Sequence, residues 1–192
     1  MKRETFLIAF LLIGGPAYAG PLGTFMGQAE SEFEALEQGV EPTLYLSTTA
    51  PDPSPLFQKY IYRIGVEGLC SVRGNGVMSV GTDLENSTKF QFIPILTALK
   101  TKYGEPTETN IFQGWYQDKQ PFSFVDELAG NDKSYWYSWE SNLDRPLPFD
   151  LHAVSFNASP KSPTEAYINI SYEYKNLTTC ESSEIRAATD SL

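Results

Sequence analysis

His152 is the chain's single histidine, and imidazole is the side chain whose ordinary pKa suits proton transfer near neutrality. As a general base it would need a Ser or Cys nucleophile beside it and a carboxylate to orient it. No G-x-S-x-G elbow presents a serine. Cys70 and Cys180 are the only thiols, and a pair joined as a disulfide offers no thiolate. His152 therefore reads as a strand-surface residue or a structural hydrogen-bonding one. Asp83/Glu85 and Asp126/Glu127 are carboxylate pairs of the type that glycoside hydrolysis uses. Nothing in their local sequence makes the side chains face each other. Gly74-x-Gly76 lacks the spacings of phosphate and dinucleotide loops. No cluster of Cys and His has ligand spacing, so no metal site is expected, and no cofactor motif occurs. The residues favour a non-enzymatic protein.

Aromatic side chains are the remaining candidates: Trp115, Tyr116, Tyr135, Trp136, Tyr137 and Trp139. Exposed, they would stack on sugar rings or anchor a protein interface; buried, they would fill a core. Strand alternation sends Trp136 to the face opposite Tyr135, Tyr137 and Trp139. Trp136, Trp139, Tyr137 and Trp115 are thus the candidate binding residues, with core packing, a protein interface and a carbohydrate site all open.

The destination of such a surface is written at the start of the chain. Lys2 and Arg3 precede an apolar run, Phe6 to Ile13, which Gly14, Gly15 and Pro16 break. Ala17-Tyr18-Ala19 then supplies small residues at the −3 and −1 positions before Gly20. This is the layout of a secretory signal peptide over residues 1–19. The run is too short to span a bilayer, which takes about 20 residues, so no stable membrane insertion is expected once the leader is cleaved. The expected location is periplasmic or secreted. There, two cysteines most simply form one disulfide, Cys70–Cys180.

Residues 20–192 have the length of one domain. The 192-residue chain carries a net charge of −10, with 41% hydrophobic and 14% aromatic residues. That composition supports a folded body, and the acidic balance argues against a nucleic-acid partner or an anionic membrane surface. It permits a basic protein partner.

Several elements are legible. Ser31 and Glu34 have capping-box spacing and predict a short helix over 31–38. Residues 43–47 and 60–66 read as strands, and the prolines of 50–55 read as a surface loop. Gly74-Asn75-Gly76 predicts a tight turn between strands at 69–72 and 77–80. Phe92, Leu96, Leu99 and Tyr103 predict a helix over 89–103, ended by Gly104 and Pro106. A short helix is expected near 124–128, and one helical turn in the tail from Ser182. Strands are expected around 111–116, at 135–139, at 151–156 and at 168–174, with a turn at 159–163. No internal repeat is legible. The sum is an α+β fold, a mostly antiparallel sheet with two or three helices packed on one face. Four N-x-S/T sequons, at Asn86, Asn157, Asn169 and Asn176, read as chance behind a leader of bacterial type.

Three segments carry a resemblance. In order they are Gly68-Leu69-Cys70, the helix end Lys102-Tyr103-Gly104-Glu105-Pro106, and Tyr172-Glu173-Tyr174-Lys175-Asn176 leading to Cys180. Together they resemble a group of uncharacterised exported proteins of Gram-negative bacteria. The resemblance implies a small α+β domain closed by one disulfide, and it implies no activity. The aromatic segment 135–139 stands outside the pattern. The expectation is an exported protein-binding module of inhibitor, immunity or envelope-accessory type. The alternative is a module for glycan or peptidoglycan fragments, and a hydrolase using paired carboxylates comes third.

Overall fold

The computed structural model describes residues 20–79, 84–111, 135–162 and 165–190. Among the described residues, strand-period segments pair into one eight-stranded antiparallel sheet. Its strands are β1 (Glu37–Gln38), β2 (Leu44–Ser47), β3 (Lys59–Gly65), β4 (Gly68–Ser79), β5 (Glu108–Ile111), β6 (Tyr135–Glu140), β7 (Leu151–Ser162) and β8 (Glu165–Tyr174). Helix α1 (Leu84–Tyr103) follows β4, and α2 (Leu177–Asp190) follows β8. The spatial order is β1-β2-β3-β4-β8-β7-β6-β5. Among the described residues, each half is therefore a four-strand meander followed by a helix, and the two halves meet at β4 and β8. The repeat lies in the topology rather than in the residues. Among the described residues, no helix is long and apolar enough to cross a membrane.

One face of the sheet is the core. Tyr45, Tyr62, Val72, Tyr172, Val154 and Trp139 stand in one cross-strand row. Helix α1 covers the second half of this face: Phe92 stacks on Phe156 at 4.6 Å and meets Tyr135 and Tyr137 at 5.9 and 6.1 Å. Over the first half lie Phe33, 4.8 Å from Tyr62, and Phe57, beside Tyr60. The helix end reads as the sequence predicts. Gly104 takes φ +79°, its N–H closes on Lys100 O at 2.7 Å, and Pro106 follows.

The sequence expectation and the structure part company in five places. The tail expected to form one helical turn from Ser182 is instead part of α2, a 14-residue helix that begins at Leu177. Gly74-Asn75-Gly76 is no turn but the middle of β4. A Cβ on Gly74 would run into the Phe57 ring, and one on Gly76 into the Leu56 carbonyl. These glycines serve close approach, not positive φ. The hairpin turns instead at Val66-Glu67, with Gly68 at φ +81°. Residues 31–38 form no helix. A 3-10 turn at Glu30–Glu32 gives way to extended backbone at Phe33, which turns inward onto Tyr62, and Ala35 takes φ +53°. Strand β7 runs on to Ser162 through the expected turn. Finally, the two described helices lie on opposite faces, α1 on the Phe156 side and α2 on the Arg63 side. The expected helix at 124–128 lies outside the described residues.

Helix α2 is placed by the disulfide. Arg63 pairs with Ser71 and Ile64 with Leu69, so Cys70 is the extra residue of a bulge. It bonds Cys180 of α2, with Cα atoms 6.3 Å apart. Gly65 gives the helix room, because a Cβ there would stand 2.8 Å from Cys180 Sγ. Arg63 Nε–Glu184 (3.2 Å) and Asn176 Nδ2–Leu69 O (3.1 Å) hold it on the Arg63 face.

Candidate functional site

The expected aromatic surface is divided by the sheet. Tyr135, Tyr137 and Trp139 share one face, as alternation requires, and that face is the core. Trp139 is 0% exposed, and its indole N–H donates to Gly104 O at 2.7 Å. Tyr137 is half-buried against the core under Phe92. Trp139 is thereby corrected from a binding residue to a packing residue, because α1 docks on that side, while Tyr137 on the same face keeps part of its surface exposed. Trp115 lies outside the described residues, as do both carboxylate pairs taken as pairs. His152 is exposed on β7. Among the described residues, no group of three His, Cys, Asp or Glu side chains is placed to hold a metal ion.

Burial also sets the chemistry of the core phenols. It pushes Tyr62, Tyr103 and Tyr172 well above the ordinary tyrosine range. Burial raises Tyr174 to about 12, against an opposing hydrogen bond from Thr24. Thr24 Oγ1 and Tyr174 Oη are 2.7 Å apart. Such phenols stay protonated and inert as bases at neutral pH.

Trp136 faces the other way. Register places it opposite Asn157 of β7, Asn157 opposite Asn169 of β8, and Asn169 opposite Asn75 of β4. One side chain from each of four neighbouring strands thus forms a row, Asn75–Asn169–Asn157–Trp136. Neighbouring strands stand about 4.8 Å apart, so the row offers an amide or an indole at that interval. Asn169 Nδ2 donates to Asn157 Oδ1 at 2.8 Å. Asn75 Oδ1 is buried without a hydrogen-bond partner. An unpaired buried acceptor is uncommon and calls for a reason. A parallel row, Ile61–Arg73–Ser171–Ser155–Ser138, runs beside it.

Sequence reasoning missed the amides. Asn169, Ser171 and Glu173 are visible as the polar set of β8, but their neighbours come from strands remote in the chain. Only the register assembles them. The chain matches no protein-family model, no curated protein and no solved structure.

Proposed function

We propose that this chain is an exported, non-catalytic binding protein, periplasmic or secreted, that reads a glycan with the Trp136 face of its sheet. The observation that carries the reading is the row Asn75–Asn169–Asn157–Trp136. Amides supply donors and acceptors for sugar hydroxyls, and an indole supplies an apolar face for a pyranose ring. A glycan laid across the strands would meet one such group per strand. Export is supported by the leader-like residues 1–19 and by a disulfide, which persists in oxidising compartments.

The test is a titration of the oxidised protein from Gly20 onward with oligosaccharides, muropeptides included, read by the Trp136 indole resonance. Saturable shifts are expected, and Asn157→Ala should weaken binding about tenfold through one lost buried hydrogen bond. Flat titrations across neutral and acidic glycans would end the glycan reading.

A protein partner is the second reading, favoured by one observation. Leu46, 40% exposed, pairs with Ile61 at the first-half edge of the same face, with Lys59 and Arg63 beside them. An apolar centre with a charged rim is the anatomy of a protein interface. Recovery of one stoichiometric protein from envelope extract, lost on Leu46→Asp, would favour it.

A further inference from the structure

Beside the amide row, α2 and the sheet enclose a cleft of about 270 Å³. Its walls include Ile61, Arg73, Ser171 and Glu173 from the sheet, and Leu177 and Glu181 from α2. This is just below the range of sites for drug-sized molecules, which starts at about 300 Å³. It suits a ligand of one residue's size.

The charges in the cleft are distributed unevenly. Arg63, its other arginine, is committed to Glu41 at 3.4 Å and to Glu184 at 3.2 Å. Arg73 is exposed and makes no ion pair among the described residues; its Nε–H reaches only Ser171 Oγ, at 3.5 Å. The two terminal nitrogens of its fork are left for a planar anion. Glu173 and Glu181 are likewise in no ion pair among the described residues. Arg73 stands opposite Ser171, and Glu173 lies two positions further along the same strand face. Such diagonal neighbours are about 7–8 Å apart, which leaves space for a ligand group between the charges. Ile61 and Leu177 add an apolar wall.

We propose that this cleft binds a zwitterionic α-amino acid with an aliphatic side chain. Its carboxylate sits on Arg73 and Ser171, its ammonium on Glu173 and Glu181, and its side chain against Ile61 and Leu177. The site goes beyond the glycan reading and stands without it, since no residue is shared with the amide row. It also gives the disulfide a functional consequence. Glu181 follows Cys180 directly, so the bond to Cys70 holds the α2 wall in place.

The experiment is calorimetry of the oxidised protein with leucine of either hand, N-acetylleucine, which lacks the ammonium, and leucinamide, which lacks the carboxylate. Leucine should bind, and each blocked derivative should bind about tenfold more weakly or worse. Arg73→Met should remove the advantage of leucine over leucinamide, and Arg73→Lys should restore part of it. Glu181→Gln should weaken leucine while sparing N-acetylleucine. Both side chains are exposed, so these variants keep the fold, which their melting temperatures verify. Absence of binding at millimolar leucine, equal binding of the blocked derivatives, or an unchanged Arg73→Met profile would each overturn the proposal. The glycan titration is read separately and is unaffected by any of these results.

Discussion

Phenylalanine at position 139 and phenylalanine at position 136 are chemically the same change three residues apart, yet the two should behave differently. Trp139 is 0% exposed and donates to Gly104 O at 2.7 Å. Trp139→Phe removes that hydrogen bond, worth about 1 kcal/mol net. It also leaves a space where the larger ring stood, at a cost of about 1–2 kcal/mol. The sum is about 2–3 kcal/mol. For a body of this length, each kcal/mol moves the melting temperature by about 2–4 °C, so a fall of roughly 4–12 °C is expected. Trp139→Ala should cost about 3–5 kcal/mol, a large part of a typical domain's 5–15 kcal/mol. Trp136→Phe lies on the opposite face and should stay within about 0.5–1 kcal/mol. Differential scanning calorimetry of the oxidised proteins reads all three. A Trp139→Phe protein that melts with the parent, or a Trp136→Phe protein that falls as far as it does, would refute the assignment of faces.

Two further predictions concern the same body. Reduction of Cys70–Cys180 opens a link between residues 110 apart, which the chain-entropy model values at up to about 5 kcal/mol. Thermal melts with and without reductant should differ by up to about 10–20 °C, and identical melts with two titratable thiols would contradict the prediction. The core phenols predict alkaline sensitivity. In the unfolded chain they ionise near 10; in the folded one burial keeps Tyr62, Tyr103, Tyr172 and Tyr174 protonated to higher pH. Above pH 10 the native state therefore holds more protons, and stability falls as pH rises. It is fully present below pH 10, and the part due to Tyr174, roughly 2–3 kcal/mol, is gone by about pH 12. Urea midpoints from pH 8 to 12 measure this, and phenols titrating near 10 in a still-stable native protein would disprove it.

What the sequence revealed was local and periodic. Ile168, Ile170, Tyr172 and Tyr174 alternate and lie inward in β8. Phe92, Leu99 and Tyr103 recur at helical spacing and are buried in α1. The opposition of Trp136 to Tyr137 and Trp139 also follows from parity alone. Which of those faces is the core does not follow, because it depends on where α1 docks. Gly74 and Gly76 misled because one residue type serves two ends: glycine is used for positive φ and for close approach, and only the passing Leu56 and Phe57 show which. The amide row was invisible for a different reason. Its members come from β4, β6, β7 and β8, and their adjacency is a property of register between distant segments.

The same two glycines bear on why the two faces are covered differently. Matching the halves strand for strand sets Tyr60, Tyr62 and Ile64 of β3 against Val154, Phe156 and Ala158 of β7, all six core-facing. Across the seam between the halves, Gly74 and Gly76 of β4 stand beside Ile170 and Ile168 of β8, their cross-strand partners. In the second half, bulky β8 residues and α1 fill the core side. In the first half, the missing side chains admit Leu56 and Phe57, and Phe33 closes over Tyr62. The position that symmetry would give to a second helix on the core side is therefore already filled by the chain between β2 and β3 and by the N-terminal segment. Helix α2 packs on the other face instead, where the bulge presents Cys70 and Gly65 leaves space. There it becomes a wall over Arg73 and Glu173, while the rows toward Trp136 lie beyond its reach. Filling Gly74 with alanine would thus strike the Phe57 contact first. Loss of the cleft would follow only if the core side then competed for α2, an outcome that the disulfide to Cys70 opposes.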